Sequence, residues 1–185
     1  MKRNIIVAKN AINSDLCNLI IERANNFTPS HTRGGNQPEI RKSETSWLIG
    51  SIKHLDIFKP ILELITNVNS RFYNFELLDT EPFQITKYDE KNQGFYSPHQ
   101  DGVYDDVSHE QIVRKLSVSI QLTSPEYYEG GTLDFPDDKE KFVVEGSMGQ
   151  GTAIFFPSYM KHAVVPVTKG TRYSLVCWVM GPNFK

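Results

Sequence analysis

The spacing of apolar residues along the chain changes near residue 75, from helical repeats to alternation. Ahead of that point, two segments repeat apolar positions as an amphipathic helix does. Residues 14–22 form the first, with Asn13 or Ser14 placed to cap its N-terminus. The second lies within residues 52–72, where Pro60 suits a helix's first turn and Ile61, Leu64, Ile65 and Val68 follow at helical spacing. A short strand is expected near residues 4–7. Between the helices, residues 28–46 are polar, include Gly34 and Gly35, and are too long for a simple turn, so they form either a disordered connection or a functional loop. Beyond residue 75 the pattern is alternating. Residues 82–88, 116–122, 151–157 and 169–179 read as strands separated by turn residues, with a polar turn at 89–94. Strands without helices between them pair antiparallel. The expected fold is mainly β with flanking helices, a double-stranded β-helix (jelly roll, cupin-like) whose helices brace one face. One domain is expected over residues 1–185, with 1–74 as helix-rich support and 75–185 as the jelly-roll core.

Candidate chemistry concentrates at strand ends. The run Phe95-Tyr96-Ser97-Pro98 leads straight into His99, with Asp101 two residues on, where a hairpin is expected to re-enter the sheet. His162 follows the proline-closed strand 151–157 and begins another apolar run. An isolated H-x-D is usually a solvated turn, but here two strand ends carry three donors. Two neutral imidazoles and one hard carboxylate suit Fe(II), and leave neighbouring coordination positions for an organic cosubstrate and O₂. Arg172 lies ten residues after His162. A Gly-led turn would set its strand antiparallel to the one after His162 and point the guanidinium into the same interior. A planar fork of that kind suits the far carboxylate of 2-oxoglutarate, whereas the bland alternative is a surface arginine on an edge strand.

On these residues, together with the strand 116–122, the stretch Glu129-Gly130-Gly131-Thr132-Leu133 and the segment from His162 to Arg172, the chain resembles the prolyl 4-hydroxylase type of Fe(II)/2-oxoglutarate-dependent dioxygenase. The resemblance implies hydroxylation of peptidyl proline with release of succinate and CO₂, and ascorbate as reductant. It implies His99, Asp101 and His162 as metal ligands and Arg172 as the cosubstrate anchor. Tyr88 is implied beside 2-oxoglutarate, and Gln121 stands where many relatives place a tyrosine that shares the distal carboxylate. Tyr96 and Trp178 are implied as substrate walls, with Arg41 and Ser43 as peptide contacts. Residues 40–48 resemble the family stretch bordering a mobile substrate loop, which favours the loop reading of 28–46.

Composition excludes some functions and leaves others. A net charge of −2 argues against general affinity for nucleic acid. Nothing approaches the roughly 20 apolar residues that span a bilayer, and the apolar run after Lys2 and Arg3 is too short for a signal peptide. Cys17 and Cys177 read as buried free thiols in a reducing, cytoplasmic setting. The expected partner is a proline-containing peptide or protein, with the chain a monomer or homodimer. Gly130-Gly131 lacks the Lys-Ser/Thr of a phosphate loop and reads as a turn. Asp105, Asp106 and Glu110 read as a solvated lid, and His31, His54 and His109 stay outside the metal set. Rival readings are a related dioxygenase acting on a free amino acid or small metabolite, a non-catalytic jelly-roll binding module, and a zinc hydrolase, which would have no use for Arg172.

Overall fold

The alternating segments pair into two antiparallel sheets. In chain order the strands are β1 (Ile6–Ala8), β2 (Thr28–Pro29), β3 (Arg41–Lys42), β4 (Glu44–Leu48), β5 (Asp79–Thr80), β6 (Phe83–Asp89), β7 (Phe95–His99), β8 (Ile112–Gln121), β9 (Tyr128–Gly130), β10 (Leu133–Asp137), β11 (Glu140–Val143), β12 (Ala153–Pro157), β13 (His162–Val164) and β14 (Val167–Pro182). The larger sheet runs β1-β12-β8-β14-β6-β4-β2, with β5 and β9 added along β14, and the smaller runs β11-β10-β13-β7-β3. The computed structural model describes residues 5–32, 34–102, 112–137, 140–143 and 149–184. Asn4, Arg33, Asp105, Asp106, His109 and Glu110 lie outside the described residues.

Period-2 geometry gives the larger sheet two faces of different character. Phe83, Ile85, Val118, Ile120, Leu175 and Cys177 turn to one face and share a buried cluster with the helices. Helix α1 (Ser14–Arg23) starts where Asn13 Oδ1 accepts from the Leu16 N–H at 2.8 Å, and it buries Cys17 and Ile20. Helix α2 (Leu55–Val68) buries Ile57, Phe58, Ile61, Ile65 and Val68, and Phe58 stacks on Phe83 with ring centroids 4.0 Å apart. The intervening residues, among them Thr86 and Tyr88 on β6 and Arg172, Ser174 and Trp178 on β14, face a cavity on the other side.

Four expectations are corrected. Pro60 lies inside α2 rather than in its first turn, because a 3₁₀ turn at Ile52–His54 starts the helix earlier. The missing N–H and ring clash cost about 3 kcal/mol. Five buried apolar side chains at about 1.5–3 kcal/mol each outweigh it. The described residues of 28–46 supply strands, β2 and the start of β4 in the larger sheet and β3 in the smaller. Residues ahead of 75 therefore supply strands as well as helices. The turn 89–94 does not close a hairpin within one sheet: β6 and β7 belong to different sheets, and the chain crosses between them there. Finally, β14 does not pair with β13. It lies between β8 and β6, across the cavity from His162, and Arg172 reaches the site from the opposite wall.

Both cysteines are free and buried. Burial pushes the Cys17 thiol up to about 11 and raises Cys177 further, so neither is a nucleophile at neutral pH. Phe83→Ala is expected to destabilise the fold by about 3–5 kcal/mol, since it removes a fully buried ring from the contact between sheet and α2. The check is a lowered urea midpoint with an unchanged slope.

Candidate metal centre and its cavity

His99 and His162 meet because β7 and β13 pair with these two residues directly opposite each other. Opposed residues share a face, and the two rings lie 4.2 Å apart between centroids. Asp101 follows the end of β7. Its N–H and that of Gly102 both donate to the Ser158 carbonyl, at 3.1 and 3.0 Å, which turns the chain so that the carboxylate returns toward the rings. Asp101 Oδ1 then lies 3.7 Å from His99 Nε2, and Oδ2 lies 3.5 Å from His162 Nε2. One ligand atom from each of the three residues falls within 4.8 Å of the others.

Hydrogen bonding sets the chemistry of these donors. His99 Nδ1 is 2.8 Å from the Ser97 carbonyl and His162 Nδ1 is 2.9 Å from that of Met160. A carbonyl only accepts, so each Nδ1 carries a proton and each Nε2 is the nitrogen turned toward the centre. Burial holds the His162 imidazole below its ordinary pKa, favouring the neutral form. Burial alone would raise the Asp101 carboxyl, but the facing imidazoles and the Ser117 hydroxyl outweigh it and hold the group below the usual carboxylate range. Ser117 Oγ donates to Asp101 Oδ2 at 2.7 Å and exchanges a 2.9 Å hydrogen bond with Ser158 Oγ. Two neutral imidazoles and an ionised, oriented carboxylate are the forms that a divalent metal requires. The donor set fits a metal with open positions.

The cavity around this group measures about 690 Å³. Arg172 enters it from β14 and is 1% exposed. Its Nε donates to Gln121 Oε1 at 3.0 Å, its guanidinium carbon stands 5.4 Å from the Tyr88 ring centroid, and Nη2 has no hydrogen-bond partner among the described residues. Gly131, at φ +64, makes the space: a Cβ there would lie 2.7 Å from Arg172 Cδ. A buried guanidinium with an unpaired Nη2 on a cavity wall fits a ligand carboxylate.

The remaining expected residues divide. Tyr88, Tyr96, Trp178 and Arg41 line the cavity. Gln121 and Ser43 stand behind it, Gln121 against Arg172 and Ser43 accepting from Arg41 Nε at 2.8 Å. His31 lies on the cavity wall although exposed, and His54 lies away from it. Several contributors escaped sequence reasoning. Ser117 was legible in the alternation Leu116-Ser117-Val118-Ser119-Ile120-Gln121, whose polar positions share a face. Arg114 was not. A bulge opposite Val179 and Met180 leaves Lys115 unpaired, so Arg114 and Ser117 both turn inward despite their odd spacing. Arg114 is bound by both carboxylate oxygens of Glu81 and lies over the Trp178 ring at 4.0 Å.

A two-sheet β fold whose facing strands enclose two histidines, a carboxylate and a buried carboxylate-binding arginine defines a metal-dependent enzyme class. The chain belongs to the 2OG-Fe(II) oxygenase superfamily, whose model matches residues 83–180, more than half of its length. Membership implies Fe(II), 2-oxoglutarate and O₂. A PKHD-type hydroxylase from Aliarcobacter butzleri is 29% identical over 167 residues, 88% of this chain and 71% of its own. Other relatives with that description, from Acidovorax ebreus for example, align over less than half of their own length. Among solved structures, the viral collagen prolyl hydroxylase of Paramecium bursaria Chlorella virus-1, in complex with 2OG, superposes with a TM-score of 0.75 at 21% identity, over 97% of each chain. A Trichoplax adhaerens prolyl hydroxylase, in complex with a hypoxia inducible factor peptide fragment, gives 0.72 at 16% identity, over 96% of this chain and 84% of that one. At such identities the structures speak for the fold, a jelly roll.

Ser117→Ala is expected to weaken divalent-metal binding by about 10–100-fold, because it removes the hydrogen bond that orients Asp101. Metal titration with circular dichroism checks this, the far-ultraviolet spectrum staying unchanged. Unaltered affinity would mean that Asp101 is oriented by its backbone turn alone.

Proposed function

We propose that this protein hydroxylates a proline residue within a peptide, with Fe(II) as cofactor, 2-oxoglutarate and O₂ as cosubstrates and ascorbate as reductant. The observation that carries the reading is the convergence on one cavity of three metal-ligand atoms and a fully buried arginine whose Nη2 is unpaired. The peptide and the proline are supported by the relatives described as PKHD-type hydroxylases and by structural neighbours described as prolyl hydroxylases, one of them holding a peptide. Aromatic walls agree with this: Tyr96 and Trp178 line the cavity, and Trp47 lies 6.1 Å from Trp178 between ring centroids. Aromatic walls of this kind offer apolar surface to a pyrrolidine ring.

Bound Fe(II), with the keto acid and O₂, supplies the oxidising chemistry, and 2-oxoglutarate leaves as succinate and CO₂. The chain supplies position and environment. His99, His162 and Asp101 hold the metal, their orientation fixed by the Ser97, Met160 and Ser117 hydrogen bonds. Arg172 takes the distal carboxylate of the cosubstrate, steadied by Gln121 and with Tyr88 beside it. Tyr96 and Trp178 hold the target carbon near the centre, and the buried walls restrict water.

Incubation with Fe(II), ascorbate, 2-oxoglutarate and proline-containing peptides is expected to yield succinate and a peptide heavier by one oxygen atom. Succinate without any modified peptide would move the target to a small molecule, and no succinate would sink the reading. Arg172→Ala is expected to raise the 2-oxoglutarate concentration for half-maximal turnover by about 10–100-fold, the loss of one charge-assisted contact, while metal affinity changes little. An unchanged requirement would place the carboxylate elsewhere.

A further inference from the structure

Among the described residues, three arginines line the cavity, and two are accounted for. Arg114 is neutralised by Glu81, and Arg172 has the cosubstrate. Arg41 remains. It is 8% exposed and lies on β3 opposite Tyr96 of β7, so the two side chains share a face. Nε is committed to Ser43 Oγ at 2.8 Å, and Ser43 Oγ shares a 2.7 Å hydrogen bond with Ser30 Oγ. The guanidinium carbon stands 4.6 Å from the centroid of the Tyr96 ring. One edge and one face are therefore fixed. Among the described residues, no carboxylate lies within ion-pair distance of Arg41.

A guanidinium stays charged at any ordinary pH, and burying it without a counter-charge is costly. The cavity is where an anion can meet it. With Nε taken, the two Nη groups form a planar pair of donors that matches a carboxylate. Tyr96 also stacks on His99, with centroids 3.5 Å apart and planes 18° from parallel, so the guanidinium stands within one side chain of the metal centre.

We propose that Arg41 binds a carboxylate of the substrate, close to the carbon that is oxidised. This rests on the function proposed above, which locates the oxidation at His99, Asp101 and His162. The carboxylate is either the side chain of an acidic residue flanking the target in a peptide, or the α-carboxylate of a free amino acid. Arg41 thereby selects an anionic substrate over a neutral one of the same shape, and Ser43 and Ser30 are positioning residues that hold its edge.

Calorimetry without O₂, on protein loaded with Fe(II) and 2-oxoglutarate, tests this through two matched pairs of probes. One pair is acetylated, amidated Gly-Glu-Pro-Glu-Gly and its Gln counterpart, and the other is free proline and prolinamide. In one pair the carboxylate form is expected to bind at least about tenfold tighter, as a charge-assisted contact provides. The pair that discriminates identifies the source of the carboxylate. Arg41→Gln should abolish the preference, and Arg41→Lys should keep part of it. Lack of carboxylate-dependent binding in both pairs by the wild-type protein overturns the proposal, whatever the variants do. A preference that survives Arg41→Gln overturns it too, by placing the anion elsewhere. These measurements involve no turnover, so failure of the proposed function, seen as no iron-dependent succinate, is a separate result.

Discussion

The pairing of β7 with β13, His99 opposite His162, is the constraint on which the site depends. It puts two imidazoles from distant parts of the chain on one face of the smaller sheet, with their Nδ1 protons engaged by backbone carbonyls two residues back. Everything else arranges itself around that pair. Asp101 is turned back toward the rings where its own N–H and that of Gly102 are captured by Ser158, which in turn donates its N–H to Lys115 of β8 at 3.0 Å. Both sheets therefore contribute to holding the carboxylate, and a shift of either sheet relative to the other would open the group.

The larger sheet divides its work between its faces. One face packs Phe83, Ile85, Val118, Ile120, Leu175 and Cys177 against α1 and α2, and supplies the apolar burial that stabilises the fold. The other carries Thr86, Tyr88, Ser119, Arg172 and Ser174, which would be destabilising in a sealed core and are tolerated because they line a cavity. The two sets alternate residue by residue on the same strands. Rigidity of the first face is thus transmitted directly to the position of the second.

Charge inside the cavity is arranged with economy of counter-ions. Arg114 and Glu81 neutralise each other beside Trp178, while the buried Asp101 faces His99 and His162. Arg172 and Arg41 are held by neutral groups, Gln121 for one and Ser43 for the other, each through Nε. Neutral partners orient a guanidinium without cancelling its charge, and that leaves the terminal nitrogens electrostatically available to a ligand.

Local features were legible in the chain. The identities and strand-end positions of His99, Asp101 and His162 and the two bracing helices followed from residue types and from periods of 2 and 3.6, because these depend on neighbours a few residues away. Which strands lie side by side does not depend on such neighbours. The turn after β6 reads like a hairpin but sends the chain into the other sheet, and the strand of Arg172 pairs with β6 and β8 rather than with β13. Ser43 and Gln121 likewise stand one layer behind the cavity, and Arg114 faces it only because a bulge at Lys115 resets the alternation. The sequence by itself determined the chemistry on offer and the elements that carry it. Only the tertiary structure decided which walls face each other, because strand pairing and bulges are settled by contacts between residues far apart in the chain.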